Sequence, residues 1–203
     1  ILTTFYGRTI TMANKDAAFG FRPVRHLTGG EIRTNEYKIA ANYDTNIFTG
    51  QPVLAVTAGG IEVADDSSGT PSVILGIFAG CFFTDPTTGK PTFSAHYPAS
   101  TNASDIIANV YDDPRIVFEV QHDGTGTNAM TFGAFDFVGK TGSTTTGRST
   151  AELDTSTVTT SGQFKQIGIS KDPDNSDTSS ANVNAYVIPN TAEHSYLLQT
   201  ALG

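Results

Sequence analysis

Val73-Ile74-Leu75-Gly76-Ile77-Phe78-Ala79-Gly80-Cys81-Phe82-Phe83 is a near-continuous apolar run. A strand with one wet face alternates apolar and polar side chains; this run does not, so it reads as a central strand buried on both faces. Its two glycines predict a bend or bulge where another backbone comes close. The run is also too short, and too broken by Gly76 and Gly80, for the ~18 uninterrupted apolar residues of a membrane helix. Membrane spanning is therefore not expected.

Outward from this run the chain reads as strand and turn. Upstream lie Tyr37-Lys38-Ile39-Ala40, Asn46-Ile47-Phe48, a Thr49-Gly50 turn and Gln51 to Val56, with Gly59-Gly60 making a hairpin into Ile61-Glu62-Val63. Downstream, Asp85 to Lys90 has turn composition and Pro91 to Ser94 starts a returning strand. Asp105 to Tyr111 follows, then an Asp112-Asp113-Pro114 turn and Ile116 to Gln121, which alternates too poorly for a half-exposed strand and reads as buried on both faces. Asn128 to Val138 fits a short helix or a strand equally well. Thr141 to Thr150 reads as a polar loop, and Phe164 to Ile169 and Val183 to Ile188 as the last strands, separated by a loop from Lys171 to Ser180. Short strands at regular spacing with no helical period predict an all-β barrel or sandwich.

Composition supports that class. Of 203 residues, 38% are hydrophobic and 10% aromatic, enough for a core, whereas the 16% charged is below the roughly 25% of average domains. Cys81 is the single cysteine, so an intrachain disulfide and a multi-thiolate zinc site are both excluded. The N-terminus lacks the charged-then-apolar layout of a secretory signal. Met12-Ala13-Asn14-Lys15-Asp16 reads like a translation start, which makes residues 1–11 an extension.

The net charge of −8 is unevenly spread. Residues 1–40 hold six basic and three acidic residues, +3, against −11 for the remainder. An acidic body repels nucleic acid, so no direct nucleic-acid partner is expected. Phe19-Gly20-Phe21-Arg22-Pro23-Val24 reads as extended, since Pro23 keeps Arg22 out of the helical region, and Gly29-Gly30 ends it. Residues 1–35 are thus expected to form an extended N-terminal arm, and residues 36–203 a β domain, as one unit or as two lobes dividing near residue 100. The arm's Phe19, Phe21 and Val24, flanked by Arg22 and Arg25, are the candidate partner-contact residues; the alternative is an arm that folds back on its own core.

No enzyme signature survives scrutiny. His26, His96, His122 and His194 are isolated from one another, and no serine or cysteine lies in a Gly-x-Ser-x-Gly elbow that His122-Asp123 could serve. Gly133 to Thr141 imitates a phosphate loop but has five residues between its glycines where four are needed, with Phe135 and Phe137 where an anion belongs. Asp172-Pro173-Asp174-Asn175-Ser176-Asp177 imitates a calcium loop, yet Asp177 stands at the glycine position and Val183 at that of the bidentate Glu. Irregular sites on Asp172, Asp174 or Asp177, on Asp65-Asp66 or on Asp112-Asp113 are the remaining metal option, and solvated turns the better reading. No catalytic residue, cofactor or metal is expected.

Met12 to Val24 resembles the opening of a group of virion structural proteins of tailed, often marine, bacteriophages. Further stretches match in order: Ile47 to Val53, Leu75 to Gly80, Tyr97 to Thr101, Asp112 to Val120, Glu152-Leu153-Asp154 and Pro173-Asp174-Asn175. Ala40 to Phe83 is also similar, more loosely, to the small β domains of head decoration proteins. The resemblance implies a capsid decoration, or cement, protein on the virion exterior, trimeric at local three-fold axes, whose partners are the major capsid protein and its own copies. The chain is longer than minimal decoration proteins, so residues 100–203 would be an elaboration. Three other readings stay open: a tail or head–tail connector component, a secreted surface-binding β-sandwich, and a divergent hydrolase.

Overall fold

The computed structural model describes residues 13–158, 161–190 and 194–197; the extension at residues 1–11 lies outside them. Five strands precede the apolar run: β1 (Arg22–His26), β2 (Asn35–Lys38), β3 (Ile47–Phe48), β4 (Pro52–Ala55) and β5 (Ile61–Val63). The run becomes β6 (Gly76–Thr84), followed by β7 (Pro91–Ser94), β8 (His96–Tyr97), β9 (Ile107–Tyr111) and β10 (Ile116–Gln121). Then come β11 (Ala134–Phe135), β12 (Phe137–Val138), β13 (Gly142–Ser143), β14 (Arg148–Ser149), β15 (Glu152–Leu153), β16 (Phe164–Ile169) and β17 (Asn184–Pro189). The protein is all-β.

Two antiparallel sheets dominate, one ordered β2-β9-β6-β4-β5 with β7 also on β6, the other β1-β10-β17-β16-β11. Strands are not dealt out by a cut near residue 100, because β9 lies between β2 and β6 while β1 joins β10. The apolar run explains this mixing. Ile74 and Ile77 pack into a cluster with Phe118, Phe135, Phe164 and Val187 of the second sheet. Leu75, Phe78 and Cys81 enter another with Val53, Ile61, Tyr97 and Val110. A strand sandwiched between two cores has no wet face, so it carries no polar alternation. The Cys81 thiol is fully buried, and that burial pushes its pKa up to about 12, leaving it inert.

The predicted bulge falls at Ala79, where the pairing of β6 with β9 slips between Phe78 and Gly80. Slippage by one residue turns Phe82 outward, 52% exposed, although the sequence places it in the core run. β10 is buried at all six positions. Asn128 to Val138 turns out to be neither one helix nor one strand: a 3-10 turn at Asn128–Met130 leads into β11 and β12. Thr141 to Thr150, read as a loop, is a hairpin of β13 and β14. Its polar Thr and Ser residues hide the strands from a hydrophobic pattern, yet the buried Ser149 hydroxyl donates to Gln51 (2.7 Å) and anchors it.

From residue 13 onward the N-terminal segment is not a free arm. Arg22–His26 is the edge strand β1, and Phe21, expected to face a partner, is 1% exposed in the chain's own core. Its ring stacks on Phe164 at 4.2 Å and meets Phe137 edge-on at 6.4 Å. Burying a Phe side chain stabilises by roughly 1.5–3 kcal/mol, which a flexible arm would forgo. Entry to the core needs a tight backbone crossing: Gly20 (φ +73°) lies against Gly50 (φ +87°), and Phe21 N donates to Gly50 O at 2.9 Å. A Cβ on Gly20 would sit 2.8 Å from the Gly50 oxygen. Gly20→Ala therefore combines a clash with a left-handed backbone. We expect a loss of about 1–3 kcal/mol or more in denaturant unfolding, whereas Gly29→Ala, with the same sign of φ but open space around it, loses less.

Candidate partner-binding surface

The segment before β1 is extended and has no sheet partner, so side chains of the body satisfy its backbone. Asn14 Nδ2 donates to the carbonyls of Asp177 and Ala181, both at 2.8 Å, and Asn14 Oδ1 accepts from Asp177 N at 3.0 Å. Gln121, 1% exposed at the end of β10, donates to Lys15 O (2.9 Å) and accepts from Ala17 N (3.0 Å). Asn175 Nδ2 also donates to Lys15 O, at 2.8 Å. Arg22 forms an ion pair with Glu119, its register partner on β10, and Glu119 in turn accepts from Ser170 Oγ at 2.6 Å. The Arg22 guanidinium lies 5.1 Å over the Phe19 ring, a cation–π contact. The far face of β10 is thus roofed by the N-terminal segment, which is why that strand shows no exposed position.

The other candidate contact residues remain outside. Phe19 is half-buried, Arg22 and Arg25 are exposed, and Val24 is 42% exposed at a bulge where β1 slips against β10. Leu27, 45% exposed, continues the line and donates its N–H to Arg115 O at 2.8 Å. At the opposite end of β1, Arg148 is brought in by the bridge between Thr49 and β14. Its guanidinium has no hydrogen-bond or ion-pair partner among the described residues. Four arginines, at 22, 25, 115 and 148, therefore follow one edge of a protein whose net charge is −8. Pro23, the bulge and the charges are features that blunt an edge against strand addition. This edge exposes side chains rather than a ladder open to strand addition.

Arg115 and Arg148 were not marked by the sequence, because only the pairing of β1 with β10 and of Thr49 with Arg148 brings them to this edge. Also unmarked is a second exposed apolar feature, the register pair Phe82 and Phe93, 52% and 54% exposed with ring centroids 5.0 Å apart on β6 and β7.

Each histidine makes contacts within the fold. His122 is fully buried with Nε2 3.0 Å from Gln166 Oε1, and burial lowers its pKa, while Asp123 accepts from Thr155 N and Oγ1. His26 sits 3.1 Å from Asp113 and accepts from the backbone of Thr28 and Gly30. His96 stacks on Phe48, and burial lowers the pKa of His194. Phe135 and Phe137 are fully buried, filling the space a phosphate would need. In the Asp172–Asp177 loop the carboxylates close their own turns, Asp172 accepting from Asp174 N and Asp177 from Ser179. Asp65 and Asp66 lie 3.2 and 3.7 Å from Lys140 Nζ, and Asp112 accepts from Asn35, Tyr37 and Tyr196. Among the described residues no three His, Cys, Asp or Glu are grouped to hold a metal ion.

One ionisable group links the N-terminal segment to the body. Glu152 on β15 is half-buried, and burial first, then the nearby carboxylates of Asp16 and Asp123, pushes its pKa up to about 7. A carboxyl with a raised folded-state pKa contributes stability at low pH that is lost as the unfolded chain ionises. The loss should run from the ordinary value of about 4.5 up to about 7 and then level off. Glu152→Gln, which cannot ionise, should gain stability relative to the parent across that window. Urea midpoints measured at several pH values from 4 to 8 check this, a constant difference being the contrary result.

No family model, curated protein or solved structure matches this chain.

Proposed function

We propose that this chain is a non-enzymatic capsid decoration protein that binds the exterior of a tailed-phage head and strengthens its lattice, with copies gathered at local three-fold axes. The observation that carries the reading is the β1 edge: exposed Val24 and Leu27 among arginines 22, 25 and 115, on a segment locked to its own body by Gln121 and Asn175. A locked segment presents these groups without an ordering cost on binding. Modest contacts of this size suit a lattice, where many copies sum to high avidity. The resemblance of Met12 to Val24 and of Asp112 to Val120 to virion structural proteins supplies the class of partner, the major capsid protein.

The test is stepwise dissociation of purified virions of the encoding phage, followed by detection of this chain in each fraction. We expect it on heads, released by rising salt before the shell opens, and leaving heads that rupture at lower temperature. Arg25→Glu, exposed and outside the core, should lower head occupancy about tenfold or more, as the loss of a charged interface contact does. Co-purification with tails would assign the protein to a tail or connector instead. Turnover of a small metabolite by the isolated chain would end the non-enzymatic reading.

A further inference from the structure

Where the N-terminal segment passes under β14, Phe19, Phe21, Phe78 and Tyr111 enclose a cavity of about 140 Å³ with Arg22 and Arg148 at its rim. Cofactor and metabolite sites usually measure about 300–1,000 Å³, so this one has room for a single side chain. Its floor is apolar, with Phe21 1% and Phe78 0% exposed. Arg148, whose guanidinium has no partner among the described residues, and Arg22, whose side chain is 54% exposed despite its ion pair with Glu119, also line the cavity. The Tyr111 hydroxyl has no hydrogen-bond partner among the described residues. A guanidinium and a hydroxyl with no acceptor among the described residues, beside apolar rings, match one chemistry: a carboxylate on a short aliphatic stem.

We infer that this cavity receives a glutamate or aspartate side chain from an acidic, extended segment of the partner protein, with the rest of that segment running along the arginine and apolar line of β1. The inference rests on the adhesion reading above and names the chemistry of what adheres. Charge complementarity selects the occupant. Arginines 25 and 115 continue the basic line from the cavity along β1, so a segment alternating carboxylates with apolar residues meets Arg25, Val24, Leu27 and Arg115 in turn. A second copy is a poorer occupant. Its carboxylates at Asp85, Asp172 and Asp177 already accept hydrogen bonds inside their own turns, and Asp105 accepts from Thr84 of β6. Nucleic acid brings no apolar side chain to meet Val24, Leu27 or the cavity floor.

The test uses the full chain and a fluorescein-labelled Val-Glu-Val-Glu-Val-Glu peptide, read by fluorescence anisotropy. The parent should bind this peptide and not its Val-Lys counterpart, with affinity falling as salt rises. Arg148→Glu should weaken binding tenfold or more, and Phe19→Ala several-fold. Arg148 is exposed and unpaired, so unchanged unfolding midpoints separate lost binding from lost folding. Equal binding by the parent and by Arg148→Glu overturns the site, as does preference for the Lys peptide or for a ten-residue dT strand. Sedimentation velocity covers the remaining occupant: an oligomer that Arg148→Glu splits gives the cavity to a second copy and also overturns the inference. Heads that retain the protein while the peptide fails to bind refute this cavity alone. Peptide binding by a protein that no head retains refutes the lattice reading alone.

Discussion

The crossing of Gly20 over Gly50 is the constraint on which the rest of this molecule depends. Two backbones can lie this close only where neither carries a Cβ, and both residues adopt a left-handed conformation that other residues rarely accept. The contact sets the path of the chain on either side. Upstream, Lys15 and Ala17 fall within reach of Gln121, and downstream Phe21 drops between Phe164 and Phe137 while Arg22 meets Glu119. An apolar plug and a set of buried amide hydrogen bonds then make the N-terminal segment part of the domain. Each buried polar group in this roof has a partner, which is the condition for such a network to stabilise rather than weaken the fold.

Two strands carry the architecture, β10 buried on both faces throughout and β6 up to its bulge at Ala79, each for a different reason. β6 has a core on either side before its bulge, so its sequence is apolar from Gly76 to Phe83, although Phe82 beyond the bulge reaches solvent. β10 has a core on one side and the N-terminal roof on the other, so its second face holds Glu119 and Gln121, polar residues whose partners arrive from far along the chain. The difference matters for function. The polar face of β10 binds the chain's own segment, and in doing so fixes the position of the arginines and apolar side chains that point away from it.

Much of the fold was legible because hydrophobic patterning and turn chemistry are local. The bulge in β6, the hairpin after β4, the Asp85–Lys90 turn and the double burial of Ile116–Gln121 could all be read from residues within a few positions of one another. What could not be read was set by long-range register. Phe82 leaves the core through a one-residue slip, and a hairpin built from Thr, Ser and Gly carries no apolar signal. The candidate surface was half legible: aromatic and basic side chains can be read along the stretch from Phe19 to Arg25, but which of them turn inward cannot. Phe19 and Phe21 flank the same glycine, and only the crossing at Gly50 decides that one is a lid and the other a plug. Arg115 and Arg148 belong to the surface through pairings separated by tens of residues, for which a single sequence holds no local sign.

The central claim, that the N-terminal segment is an integral layer of the domain and presents a fixed surface, rests on one amide. Phe21 N–H donates to Gly50 O at the crossing. Native-state hydrogen exchange should find it as protected as the amides of Phe118 and Val120 in β10, opening only with global unfolding. Exchange at the rate of an exposed loop, while β10 stays protected, would show a segment that lifts off the body and would contradict the account.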